Sequence, residues 1–286
     1  MNTDDREQQF VRVVGSSILA ITGGYFYLDD DGNDTGELVT FACSGFAMSF
    51  DGFPVLVTAG HVIQDTLDPI IVRNVYKGHR LRLAQVNLLD CFGEKPVVKT
   101  PTPFSIYPSL PRAGRDQALQ RDSNGLDFGI ILLPSLYWNG FFKNDGRILA
   151  EDMWATEGEH FDVYKMVGIP VEPQYSKTGH LRLGVFSFLE TTDPEVTTAD
   201  GKPIWFVGTM PEGTLSVEGM SGGPIFGFRK VPGGWEYKIV AMQSWQIKGE
   251  SGKVYGTPLR SFAPIVSHAI ESLTTPGKAA VKTYHD

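Results

Sequence analysis

Apolar positions in this chain come in short runs broken by turn residues. Examples are SSILAIT, FPVLVTA, DFGIILL, DVYKMVGIP, LRLGVFSFL, PIWFVGTM, GGPIFGFRK and EYKIVAMQSW. Several alternate with period two or are rich in β-branched and aromatic residues, which predicts strands rather than helices. Asp51-Gly52, between FAMSF and FPVLV, predicts a tight hairpin, and Gly233-Gly234 predicts a second. Helical periodicity is strong mainly from Phe262 to Leu273, just before a polar Thr-Thr-Pro-Gly stretch. Many strands, hairpin turns and one terminal helix point to all-β barrels or sandwiches. No internal repeat is visible. The segments from about Pro96 to Asn124 and from Pro134 to His160 read as long excursions between barrels.

Charge narrows the partners. Lys+Arg 25 against Asp+Glu 33 gives a formal net charge of −8, with no basic run. That argues against nucleic acid or an anionic membrane as the main partner. No stretch approaches the ~20 apolar residues of a membrane span. The opening MNTDDREQQF has acids where a secretory signal has basic residues, so a cytoplasmic chain without a signal peptide is expected. Cys43 and Cys91 are too few for a disulfide framework, and no Cys/His cluster has zinc spacing. The acidic run from Asp29 to Asp34 resembles the start of a calcium loop. Its sixth position is Asp34 rather than Gly and its twelfth is Thr40 rather than Glu, so it reads as a solvated hairpin tip. Neither a metal nor another cofactor is expected.

Three segments carry candidate chemistry. Val55-Leu56-Val57-Thr58-Ala59-Gly60-His61 is a buried strand that delivers a histidine at its end. Leu126-Asp127-Phe128-Gly129-Ile130-Ile131 opens an apolar strand with an acid. Gly219-Met220-Ser221-Gly222-Gly223-Pro224 is a glycine-dense turn around one serine. A nucleophile needs such a turn, because small neighbours admit a substrate carbonyl and free backbone N–H groups can point at its oxygen. Taken singly, the histidine reads as structural and the acid as a charge at a strand start. The other histidines read as surface or packing residues, and Trp138, Trp154 and the run Phe141-Phe142 as packing of the excursion between barrels.

In the order His, Asp, Ser the three segments resemble the trypsin/chymotrypsin superfamily of serine proteases, over about Gly15 to Leu273. TAGH at 58–61 is similar to its Thr-Ala-Ala-His, and GMSGGP at 219–224 to its Gly-Asp-Ser-Gly-Gly-Pro. Ser244-Trp245-Gln246 resembles its substrate-edge strand. The resemblance implies two six-stranded antiparallel β-barrels, at about 13–135 and 160–262, with a C-terminal helix at about 262–273 and flexible tails at 1–12 and 274–286. It implies a serine endopeptidase with His61, Asp127 and Ser221 as catalytic residues and an oxyanion hole from the N–H groups of Gly219 and Ser221. Ser244 is expected behind Asp127, Trp245 and Gln246 beside the substrate backbone, and Leu215 and Ser216 in the specificity pocket. The implied partners are a protein or peptide substrate and, as in some members, a regulatory protein. The pattern is nearest to bacterial intracellular and HtrA-like members, without a PDZ domain.

Departures from the family pattern shape these expectations. Val62 stands where a cysteine would bridge to Cys43, so no bridge is expected there. Met220 replaces the acid that pairs with a new N-terminus in zymogens, so cleavage after Arg12 is not expected to activate the chain. Two rival readings are an α/β-hydrolase and a catalytically silent binding module. G-x-S-x-G at 219–223 fits the hydrolase elbow, but that fold needs the order Ser, acid, His, and the only Asp after Ser221 is Asp286. A silent module is disfavoured because every triad position is filled.

Overall fold

The computed structural model describes residues 10–90, 95–97, 126–170, 183–191, 205–211, 219–246 and 252–274. The first half is an antiparallel sheet built from β1 (Ile18–Leu28), β2 (Asp34–Phe50), β3 (Phe53–Thr58), β4 (Val75–Tyr76), β5 (His79–Asp90), β6 (Lys95–Pro96) and β7 (Gly129–Ile131). Its order is β4-β5-β1-β2-β3-β7, with β6 on β5. The second half closes into a barrel of β8 (Val163–Gly168), β9 (Gly184–Glu190), β10 (Phe206–Thr209), β11 (Pro224–Val231), β12 (Gly234–Gln246) and β13 (Lys253–Pro258), in the order β10-β13-β12-β11-β8-β9. The expectation of two closed six-stranded barrels therefore needs correction. Among the described residues the first sheet has seven strands and stays open, because the three-residue β7 pairs with β3 alone.

Local chemistry accounts for the turns. Asp51 (φ 51°) and Gly52 (φ 76°) both take positive φ between β2 and β3, as a two-residue hairpin matched to strand twist requires. The second hairpin turns one residue earlier than the sequence suggests. Pro232 and Gly233 (φ 90°) form the corner, and Gly234 already pairs with Val231. The acidic run is a hairpin tip, in which Asp29 Oδ1 accepts the Asn33 N–H at 2.7 Å.

Strand alternation sorts side chains into two cores. In β11, Ile225 points into the barrel with Met166, Met220, Ala241 and Val254. Its neighbour Phe226 points outward into a larger core shared with the first sheet. The terminal helix runs from Leu259 to Thr274 (α3, after α1 at residues 10–15 and α2 at Ser135–Lys143). It buries Leu259, Phe262, Ala263, Val266, Ala269 and Ile270 on one face, the spacing that predicted it. Phe262 stacks on Phe128 with ring centroids 5.1 Å apart, so α3 backs the segment that leads from Asp127 into β7. Each such fully buried Phe contributes ~1.5–3 kcal/mol. The 134–160 excursion crosses between halves, bridging Leu149 to Met48 on β2 and Trp154 to Ile239 on β12.

The chain is anchored earlier than a tail ending at residue 12 implies. Phe10 in α1 is only 4% exposed and packs edge-on against Phe226, Phe228 and Tyr237, with centroids 4.7–5.4 Å apart. Among the described residues no helix is long and apolar enough to cross a membrane.

Candidate active site

β3 ends at Thr58, and Ala59-Gly60 carries the backbone to His61, the N-cap of a π-helix over Val62–Arg73. Pro69 lies inside that helix, where it offers no N–H donor, and the Asn74 N–H closes it on Pro69 O. Gly60 passes close to the acid-bearing segment. A Cβ there would sit 2.9 Å from Phe128 O and 3.0 Å from Asp127 Oδ1.

Asp127 holds His61 at two points. The His61 backbone N–H donates to Oδ1 at 2.8 Å, and ring Nδ1 lies 2.7 Å from Oδ2. The carboxylate is buried while the imidazole is part-exposed. A carboxylate on Nδ1 favours a proton there and leaves Nε2 as the basic ring atom. Asp127 is itself fixed by the second half of the molecule. Its N–H donates to Thr257 Oγ1 at 3.1 Å, and that hydroxyl lies 2.8 Å from Ser244 Oγ, with all three groups buried. Satisfied hydroxyls around a buried acid avoid the ~1–3 kcal/mol cost of an unpaired polar group.

Ser221 sits in a turn pinned on both sides. Gly222 N–H donates to Gln243 O, Gln243 N–H to Gly223 O, and Gly223 N–H to Met220 O, each at 2.8 Å. Gly222 has φ 91°, and a Cβ on it would fall 2.3 Å from Thr58 Oγ1 and 2.5 Å from Ser44 O. Only glycine lets the serine turn press against the end of β3, one residue pair before His61. Among the described residues the N–H groups of Gly219 and Ser221 donate to no acceptor. Ser221 Oγ donates to Ser244 O at 3.3 Å, and no hydrogen bond joins it to His61.

The structure thus joins His61 to Asp127 directly and sets Ser221 on the adjoining turn, bonded elsewhere. Ser244 lies behind Asp127, with its side chain fully buried. Trp245 is 45% exposed and packs 4.7 Å from Tyr255 and 6.5 Å from Trp205. Leu215, Ser216 and the side chain of Gln246 lie outside the described residues. Met220 is fully buried among apolar neighbours, a site with no use for an acid. Burial pushes the Cys43 thiol up to about 12, which keeps it protonated and inert.

Two residues that hold this site escape sequence reasoning. Thr257 steadies Asp127 from β13, and Ser44 on β2 bonds to the serine turn itself. Neither has a local pattern that separates it from any other strand hydroxyl, although Ser44 adjoins the cysteine whose missing bridge drew notice.

No protein-family model and no curated protein matches the sequence. Among solved structures the chain is similar to a thermostable serine protease, AL20, from an extremophilic microorganism, at 15% identity over 89% of this chain and 97% of that one, with a TM-score of 0.45. It is similar to the Rv3671c protease of M. tuberculosis in its active form, at 13% identity over 93% and 87%, with a TM-score of 0.44. A Glu endopeptidase in complex with MPD is similar at 15% identity over 91% and 93%, with a TM-score of 0.48. Each of these likenesses spans at least 89% of this chain, at an identity of 15% or lower.

Proposed function

We propose that this chain is a serine endopeptidase of chymotrypsin-like fold, cleaving peptide bonds with His61, Asp127 and Ser221. The observation that carries the reading is the two-point grip of Asp127 on His61, beside a serine turn whose Gly219 and Ser221 N–H groups meet no acceptor among the described residues.

The chemistry follows from these atoms. Ser221 Oγ leaves Ser244 O by a side-chain rotation and attacks the scissile carbonyl while His61 Nε2 takes its proton. Asp127 holds the proton on Nδ1 and stabilises the imidazolium that forms. The Gly219 and Ser221 N–H groups receive the oxyanion, each such donor being worth ~3–4 kcal/mol in related chemistry. His61 then protonates the leaving amine, and water enters by the reverse sequence to release the acyl group. Trp245, exposed at the edge of β12, flanks the substrate backbone.

A second reading, a catalytically silent protease-fold binding module, draws on one observation: Ser221 Oγ is hydrogen-bonded away from His61. A fluorophosphonate probe separates the two, because it phosphonylates only an activated serine. The endopeptidase reading expects labelling of the intact chain that is abolished in Ser221→Ala and His61→Ala. An unlabelled, folded wild type would favour the silent module.

A further inference from the structure

We propose that Ser44 is the positioning residue that sets the oxyanion hole, in the role that a charged N-terminus performs in zymogen-derived enzymes. The proposal rests on the endopeptidase reading. Ser44 is fully buried on β2, a strand of the first sheet, yet both hydrogen bonds of its hydroxyl cross to the second half. Oγ donates to Gly219 O at 2.8 Å and accepts the Ile169 N–H at 2.8 Å. The acceptance fixes where the hydroxyl proton can point, and the donation fixes the plane of the peptide between Gly219 and Met220.

That peptide lies between the two proposed oxyanion donors. Gly219 has φ 86°, a region open to a glycine in more than one turn geometry, so its carbonyl can swing unless something holds it. The following peptide is already held, since Met220 O accepts the Gly223 N–H at 2.8 Å. Ser44 supplies the remaining restraint, and among the described residues no charged side chain bonds to this peptide. Met220 is buried among apolar side chains, and Val14 beside the Arg12–Val13 bond is fully buried. The hole is thus preformed by a neutral hydroxyl that links the two halves.

The test compares wild type, Ser44→Ala and Ser44→Thr in the full chain, using kcat and KM on one peptide substrate, fluorophosphonate labelling rate and Tm. Ser44→Ala removes both bonds without adding volume. We expect kcat to fall 10- to 100-fold with KM changed less than threefold, and affinity for a peptide aldehyde, which forms a tetrahedral adduct, to fall by the same factor as kcat. Ser44→Thr, if its Tm matches wild type, should recover most of that loss. A Ser44→Ala enzyme with wild-type kcat per folded molecule, whatever its Tm, would overturn the proposal while leaving the endopeptidase reading intact. A wild type that neither labels nor cleaves would instead remove the reading on which the proposal rests.

Discussion

At the scale of single residues, Asp127 carries the sharpest expectation. Its two oxygens do different jobs, one on the His61 backbone N–H and one on the ring. In Asp127→Asn the carbonyl oxygen must stay on the backbone N–H, so the amide NH₂ faces Nδ1. The ring then has to accept at Nδ1 and keep its proton on Nε2, where it cannot take one from Ser221. We expect kcat to fall on the order of 10⁴, as in the Ser-His-Asp template, with Tm close to wild type. Cleavage at the parental rate would mean that another acid serves His61. The same grip explains Gly60, whose missing side chain leaves room for the carboxylate.

At the scale of elements, α1 behaves as an anchor rather than a tail. The Arg12–Val13 bond lies inside this helix, where Ser16 N–H donates to Arg12 O and Ser16 Oγ to Val13 O. A chain beginning at Val13 loses Phe10 and its contacts with three aromatic rings. It should be no more active than the full chain and less stable by about 3 kcal/mol, the low end for removing a buried Phe, as chemical denaturation would read. An active truncated chain beside an inert full-length one would restore proteolytic activation. The strands, the Asp51-Gly52 hairpin, the terminal helix and the order of the three chemical segments were legible in the sequence, because period-two burial, turn φ values and helix spacing are local. The open first sheet, the docking of Phe10 and the support from Ser44 and Thr257 were not. Each depends on a partner from a distant segment, and no pattern within a few residues encodes such a meeting.

At the scale of the whole molecule, buried acids are unevenly placed. The buried carboxylates among the described residues are Asp68, Asp90 and Asp127, all from the first half. The position that the resemblance gives to the floor of the specificity pocket holds Leu215, which offers no charge to pair a cationic side chain, and an uncompensated buried cation would cost several kcal/mol. A peptide library should therefore be cut mainly after uncharged residues, and cleavage mainly after Lys or Arg would refute this. The placement of α1 has a further consequence, in the time course of synthesis. Phe10 leaves the ribosome more than two hundred residues before Phe226, Phe228 and Tyr237, the rings it docks on. Until then the newborn chain has a histidine and an acid but no nucleophile, and its anchor hangs unpaired. On the endopeptidase reading, the nucleophile and the rings that clasp α1 thus emerge close together, and a copy that stops short of them has no means of cutting its neighbours.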